Sequence, residues 1–290
     1  MKKAIVIFLA AMFLAVPKVS FADSAVGDVI VTLGENLTET QKQDLLKEMN
    51  APSDAQIISV SNQEEHKYLG KYIPSSQIGS KALSSSSIKI ENKGSGLEVK
   101  TNNINWVTDE MYLNALMTAG VKDATVYVTA PKQVSGTAAL TGLMKAYEVS
   151  SDKAIPEDVK QVANQELVTT AKLGEEHGKE NASALLAKIK EEVAKNGLPK
   201  NDDELRQMIE KAAKDLGITL SEADINNLIA LFHKMENANI DWNQVGQQLD
   251  QAKDKITKFI NSDQGQSFLQ KAQDFFAALW NAIVSLFSGK

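Results

Sequence analysis

The chain has 290 residues, with no cysteine, 31 lysine or arginine residues, 37 aspartate or glutamate residues and a formal net charge of −6. The absence of cysteine excludes disulfides, thiol catalysis and a cysteine-linked lipid anchor. The excess of acidic residues argues against nucleic acid as a partner, because its binding requires a basic surface.

Residues 1–22 have the pattern of a secretory signal peptide. Lys2 and Lys3 precede an apolar run over residues 4–16, and small residues at Ser20 and Ala22 occupy the positions that a signal peptidase reads. The apolar run is too short to cross a bilayer, which requires about 20 residues. We therefore expect cleavage after Ala22, export, and a mature net charge of −9 from 28 basic and 37 acidic residues.

Residues 24–150 alternate between strand and helix signals and predict an α+β domain with a mixed or mostly antiparallel sheet, in the order β-α-β-α-β-β-α-β-α. A capping box at Thr38 predicts the first helix. Ile88–Lys100 predicts an antiparallel hairpin, because two alternating apolar runs flank an Asn- and Gly-containing loop. The serine-rich connection from Pro74 to Ser87 predicts an exposed, mobile loop. The later predicted elements are a helix capped by Thr108, a strand over Ala124–Ala130 and a helix from about Ser135 to Glu148.

Residues 151–290 lack strand signals and predict an all-α helical region, in which Pro156 begins the first helix. A helix capped by Asp241 carries an apolar seam with steps of three and four residues. The last predicted helix, Gln264–Phe287, is aromatic and includes Trp280. It suits either a core position or contact with a partner or a membrane surface.

The loop that contains Asn103, Asn105 and Trp106 is a candidate binding loop. Side-chain amides match sugar hydroxyls and an aromatic ring covers the apolar face of a sugar, so the combination suits a carbohydrate ligand. The alternative is a turn anchored by a buried tryptophan, since asparagine is a common turn residue.

A second candidate is Ser135, Gly136 and Thr137, which follow a strand and open a predicted helix. Free backbone N–H groups at a helix start can hold an anion. The alternative is that small residues here allow the helix to pack closely on the sheet. The segment lacks both the P-loop and the dinucleotide fingerprints, so no cofactor is predicted.

Residues for catalysis or metal binding are not evident. Glu176 and His177 are adjacent in a predicted helix, and adjacent helical residues point in different directions, so we predict no metal site there. Asp109 and Glu110 beside Trp106 are the candidates for a carboxylate hydrolase. Hydrolytic carboxylate pairs oppose each other across about 5–10 Å, which neighbours on one helix do not do. The sequence therefore favours a protein that is not an enzyme.

Several stretches resemble the YpuA-type family of exported proteins of Gram-positive, Bacillus-like bacteria. They are Val31–Gly34, Tyr68–Gly70, Asn103–Pro131 and Val134–Glu148. The resemblance implies export and residence at the cell envelope, and it implies no reaction, cofactor or catalytic residue. We therefore expect a secreted, envelope-associated binding or structural protein whose partner is a cell-wall component or an envelope protein. A cell-wall-directed hydrolase that uses carboxylates is the alternative.

Overall fold

The computed structural model describes residues 26–151 and 153–260, with only the backbone for residues 255–260. The first half of this range forms a five-stranded mixed sheet in the order β2-β1-β3-β5-β4. Strands β1 and β2 are parallel, as are β4 and β5, whereas β3 runs antiparallel to both β1 and β5. The strands are β1 (Val29–Gly34), β2 (Gln56–Val60), β3 (Ser85–Ile90), β4 (Leu97–Thr101) and β5 (Ala124–Thr129).

Five helices accompany the sheet, and local signals explain where they begin. The capping box predicted at Thr38 is confirmed, because Gln41 N–H donates to the Thr38 hydroxyl and the Gln41 side chain accepts from Thr38 N–H. Thr108 caps its helix as predicted. The helices are α1 (Glu39–Glu48), α2 (Asn62–Leu69), the single turn α3 (Ser75–Ile78), α4 (Asp109–Thr118) and α5 (Thr137–Ser151).

Helix α5 packs closely on one face of the sheet. A Cβ atom on Gly142 would lie 2.5 Å from Thr32 Cγ2, so only glycine allows this approach. The Thr32 hydroxyl donates to Gly142 O at 3.0 Å, which ties helix to strand. On the other face α1 covers β1, where Leu45 packs with Val31 and Leu33. Both faces of β1 are therefore covered.

The predicted hairpin over Ile88–Lys100 is wrong. Strands β3 and β4 do not pair with each other, because β5 lies between them. Asp123, just before β5, accepts Gly94 N–H and Gly96 N–H on Oδ1, both at 2.9 Å. The alternation correctly marked two strands, but it carries no information about which strand fills the space between them.

The prediction of an exposed loop over Pro74–Ser87 is confirmed only in part, because residues 74–77, 80 and 81 are exposed but the rest of the segment is not. The segment forms α3 and ends in the first residues of β3. Ser84, just before the strand, and the three serines from Ser85 to Ser87 within it are all buried. Their small side chains suit a strand that lies under α5. Ser85 Oγ accepts Gly34 N–H at 3.1 Å, which gives one buried hydroxyl a partner across the sheet.

The second half is helical as predicted, and α6 follows Pro156. Within the described ranges it comprises α6 (Glu157–His177), α7 (Lys179–Asn196), α8 (Asp202–Asp215), α9 (Glu222–Asn237) and α10 (Trp242–Ile260). None of the described helices is both long and apolar enough to cross a membrane. The predicted signal peptide at residues 1–22 and the last predicted helix, Gln264–Phe287, lie outside the described residues.

One apolar core joins the two halves, because Leu116 on α4 and Leu167 on α6 belong to the same buried cluster.

A buried ion pair lies at this junction. Lys190 Nζ on α7 is 2.9 Å from Glu166 Oε1 on α6, and it also donates to Asn114 O and Thr118 Oγ1 on α4, both at 2.8 Å. Both charged side chains are fully buried. Burial lowers the pKa of Lys190, and the Glu166 carboxylate opposes that shift.

Candidate functional site

The two loops that the sequence marks as candidate binding loops lie side by side in the structure. Val134 N–H donates to Asn103 O at 3.1 Å, Asn105 N–H to Val134 O at 2.9 Å, and Val107 N–H to Ser135 O at 3.1 Å. The loop before α4 therefore runs alongside the start of α5.

In the first loop, the tryptophan and one asparagine are engaged within the fold. Trp106 is 9% exposed, and its indole N–H donates to Glu175 Oε1 at 2.7 Å. Asn103 has a positive φ of 57°, and its amide donates to Ala130 O at 2.9 Å. Asn105 is exposed, and its backbone oxygen accepts from Lys179 Nζ at 2.6 Å. This geometry is that of a turn anchored by a tryptophan.

The second loop is closed by packing. Gly136 has a φ of +93°, and a Cβ atom there would lie 2.5 Å from both Ile104 Cγ2 and the Tyr112 hydroxyl oxygen. The Tyr112 hydroxyl donates to Gly136 O. Thr137 is 1% exposed, and Ser135 Oγ lies 3.1 Å from its hydroxyl oxygen. Because the first turn of α5 is filled by protein atoms, this geometry favours the packing role.

A buried carboxyl group that sequence reasoning missed lies below this turn. Glu65 on α2 is 2% exposed, and its Oε1 accepts the Thr137 hydroxyl at 2.5 Å. Burial raises the pKa of Glu65, and the hydrogen bonds from Thr137 and Asn62 oppose the shift. Burial also raises the pKa of Tyr112 well above its usual value, and the negative charge of Glu65 adds to this. Its position after the Ser61–Glu64 capping box gave no sign that Glu65 would turn inward.

The two carboxylates considered for hydrolysis lie together in the first turn of α4. Burial raises the pKa of Asp109, opposed by hydrogen bonds from Thr101. Burial likewise raises the pKa of Glu110, and the nearby charges of Asp109 and Glu180 raise it further. Neither residue lines the groove described next. The structure does not place them on opposite sides of a cleft.

A polar groove of about 710 Å³ lies elsewhere, between α10 and the loops around β4 and β5. We call it the amide groove. Four glutamines of α10 recur at i, i+3, i+4 and i+7, which places them on one face of the helix. The residues of α10 that line the groove are Asn243, Gln244, Gln247, Gln248 and Gln251, and the facing residues include Ile90, Glu91, Lys93, Gly94, Lys122, Asp123, Tyr147 and Ser150.

Gln248 is the most unusual residue of the amide groove. It is 3% exposed, and neither its Oε1 nor its Nε2 has a hydrogen-bond partner. An unsatisfied buried polar group costs about 1–3 kcal/mol, and native proteins contain few of them. Gln244, one turn earlier, is held in place because its Nε2 donates to Gly120 O at 2.9 Å.

A second cavity, of about 510 Å³, continues the amide groove past β4. Glu91, Gly94 and Gln251 line both cavities. Gly96 faces α10 so closely that a Cβ atom there would lie 3.1 Å from Gln251 Oε1. Asp254 lines the far part. The result is an extended channel along one side of α10.

Another polar cluster joins α6 to the start of α9. Atoms of Glu176, His177 and Asp224 lie within 4.8 Å of one another, so the prediction that neighbouring helical side chains cannot converge is wrong here. Convergence occurs because Asp224 approaches from a different helix. Asp224 Oδ2 already accepts from Ser221 N–H at 2.9 Å and Ser221 Oγ at 2.7 Å, and His177 Nε2 lies 3.4 Å away. These contacts describe a helix cap with a histidine beside it.

Comparison with known proteins gives a family and a close relative. The family model described as "Protein of unknown function (DUF1002)" matches residues 33–252. The chain is 65% identical to "Uncharacterized protein YpuA" of Bacillus subtilis (strain 168) over 289 residues, which cover 99% of this chain and 100% of the relative. No solved structure matches. The family match begins near the end of β1 and covers β2 to β5, α1 to α9 and the glutamines of α10.

Proposed function

Because this chain belongs to the YpuA-type family (DUF1002), whose description states no function, we propose a role from its geometry and sequence. In this proposal the protein is an exported binding protein of the cell envelope that acts without catalysis, and the amide groove is its binding site. The observation that carries this proposal is a groove lined by side-chain amides, with the buried and unpartnered Gln248 at its floor.

The carboxylates of the amide groove support binding over hydrolysis. Asp123 Oδ1 accepts two backbone N–H groups, from Gly94 and Gly96. Glu91 Oε1 accepts from Lys89 Nζ and from the Thr125 hydroxyl, both at 3.0 Å. These carboxylates hold in position the loops that line the amide groove. A glycosidase that uses two carboxyl groups requires them on opposite sides of the scissile bond, one of them as an acid and the other as a free carboxylate.

The sequence supports the location. A charged start, an apolar run and small residues at Ser20 and Ala22 favour export with cleavage after Ala22. A binding protein outside the cytoplasm meets cell-wall polymers and envelope proteins first. The mature charge of −9 favours neutral or cationic partners, because like charges repel.

The test is co-sedimentation of residues 23–290 with isolated Gram-positive cell walls. Gln247 is exposed in the amide groove, so Gln247→Trp fills the groove without disturbing the core. Asn227→Trp, at an exposed position on α9 outside the groove, is the matched control. We expect wild type and Asn227→Trp to sediment with walls and Gln247→Trp to lose at least tenfold in affinity.

Two further arms complete the experiment. Release of soluble sugar or peptide from the walls by the wild type would show hydrolysis and contradict a purely binding role. Equal wall binding by all three proteins would place the binding site outside the groove. Lipid vesicles test the separate prediction that the last predicted helix, residues 264–287, contacts a membrane surface.

A further inference from the structure

We propose that the ligand of the amide groove is an uncharged sugar chain that carries hydroxyl and acetamido groups. This inference rests on the proposed function, that the protein binds a partner through this groove. It adds the chemical class of the partner that this groove binds, which the family description does not supply.

The first argument is the hydrogen-bonding chemistry of the side chains that line the amide groove. A glutamine amide offers two donors and an acceptor, and a sugar hydroxyl is both donor and acceptor, so each amide can pair with a hydroxyl in either direction. The side-chain amides of Gln247 and Gln251 make no hydrogen bond with another residue in the part of the chain that the structure describes. With Gln248 they give three amides at i, i+1 and i+4 that are available to a ligand. An acetamido group pairs with such an amide through both its N–H and its C=O.

The second argument is Gln248 itself. Its side chain is buried against the groove floor, and its two polar atoms lack partners, so the folded protein retains an unfavourable polar burial there. A ligand hydroxyl or acetamido group seated on the floor would remove that cost after a small movement of the side chain. An apolar residue at position 248 would stabilise the free protein, but it could not form a hydrogen bond with a ligand.

The third argument is charge. Acidic side chains along the two cavities outnumber basic ones, so an anionic polymer such as a polyphosphate-linked chain would be repelled. The acidic residues are Glu91, Glu98, Asp123, Asp241 and Asp254, and the basic residues are Lys93 and Lys122. A neutral chain encounters no such barrier.

The fourth argument is shape. From Gln244 to Asp254 the helix rises about 15 Å alongside the two cavities, which suits several linked sugars better than one small molecule. Tyr147 supplies an aromatic wall in the first cavity. Peptide-binding grooves typically offer an exposed strand edge or a row of apolar pockets. The α10 side of this groove offers amides instead.

The experiment measures binding of residues 23–290 to three soluble probes by calorimetry. The probes are a neutral oligomer of N-acetylglucosamine, a peptide of mixed sequence and similar length, and poly(glycerol phosphate). The test variant is Gln248→Met, which keeps the size of the side chain and removes the amide. Gln161→Met is the matched control, because Gln161 Oε1 on α6 is also buried and unpartnered but does not line the groove.

We expect the sugar oligomer alone to bind, Gln161→Met to bind like wild type, and Gln248→Met to lose at least tenfold in affinity. Gln248→Met should also unfold at a higher temperature than wild type, because it removes an unsatisfied buried amide. That gain shows that the lost binding is not a loss of folding.

The failures can be told apart. Wild type that sediments with cell walls but binds only the peptide or the phosphate polymer would keep the proposed function and overturn the sugar assignment. Equal binding of the sugar by wild type and Gln248→Met would show that the Gln248 amide at the groove floor takes no part in recognition and would contradict the second argument. Wild type that binds neither walls nor any probe would overturn the proposed function as well.

Discussion

Glu64 and Glu65 are neighbours in α2, yet their surroundings move their pKa values in opposite directions. Burial raises the pKa of Glu64, but hydrogen bonds from Lys145 and Ser61 outweigh it and leave the pKa below 4.5. Burial raises the pKa of Glu65 above 4.5, because its hydrogen bonds are weaker than the cost of desolvation. Each of the two glutamates has a partner on α5, which is Lys145 for Glu64 and Thr137 for Glu65.

This contrast predicts opposite pH dependences for two amide variants. The folded state retains the proton of Glu65 above pH 4.5, so wild type loses stability from this group as pH rises from 4.5 through the folded pKa. Glu65→Gln removes that loss, and its stability relative to wild type should increase between pH 4 and pH 7.5. For Glu64→Gln the sign reverses, because ionised Glu64 stabilises the fold at neutral pH and that contribution disappears in acid.

Urea unfolding at several pH values measures both curves. Parallel curves for Glu65→Gln and wild type across this range would mean that Glu65 ionises in the folded protein as easily as in the unfolded chain.

Gly142 supports a second prediction at a single residue. Alanine at an exposed glycine within a helix usually stabilises by about 0.5–1 kcal/mol. Here its Cβ atom would meet Thr32 Cγ2 at 2.5 Å, so we expect Gly142→Ala to destabilise by about 1–3 kcal/mol. Thr32→Ser removes that methyl group and keeps the hydroxyl that bonds Gly142 O. The double variant should therefore recover much of the loss, and additive effects of the two changes in urea unfolding would contradict the steric explanation.

At the scale of elements, α4, α6 and α7 meet around the Lys190–Glu166 pair. Removing one partner leaves the other charge buried, so Lys190→Met should destabilise by about 3–5 kcal/mol. Adding Glu166→Leu removes the orphaned charge and should restore most of the stability. Lys211→Met, which breaks an exposed pair with Asp215, is the control and should cost about 0–1 kcal/mol. A double variant as unstable as Lys190→Met would show that the loss of stability does not come from the unpaired charge of Glu166.

The elements also show what could be predicted from the sequence. The capping box at Thr38, the mixed sheet and the order of the elements apart from α3 were predicted, because they depend on signals within a few residues. The pairing of β3 and β4 in the sheet was not predicted. Each of them pairs with β5, which lies more than twenty residues further along the chain.

The candidate site was less predictable than the fold. Val245 and Leu249 mark the buried seam of α10, and the glutamines beside them read as its solvent face. Gln248 is buried, and the groove that it lines also includes the loop before β4 and the end of α5, which no local pattern links to α10. The asparagine and tryptophan loop was evident in the sequence, but tertiary packing through Glu175 engages its ring.

At the scale of the whole molecule, the sheet and the helices share one core, with Leu116 and Leu167 in a single buried cluster. We therefore expect the described part of the chain to unfold in one cooperative transition. Far-ultraviolet and near-ultraviolet circular dichroism should give coincident urea curves for residues 23–290. A fragment of residues 23–155 would expose the buried side of α4 and should not fold alone. A folded fragment, or two separate transitions, would establish two independent domains.

The position of β5 has a consequence for how the chain acquires its structure in time. Among the described residues, strand β4 pairs in the sheet with β5 alone, and β3 pairs with β5 on one side. Neither of these strand edges is therefore paired until residues 124–129 have been made and inserted. A nascent chain that ends before Asp123 also lacks the carboxylate that fixes the loop before β4. Partly synthesised chains therefore present two open strand edges to one another, which is the condition that promotes aggregation. The sheet is therefore complete only once β5 occupies the position between β3 and β4.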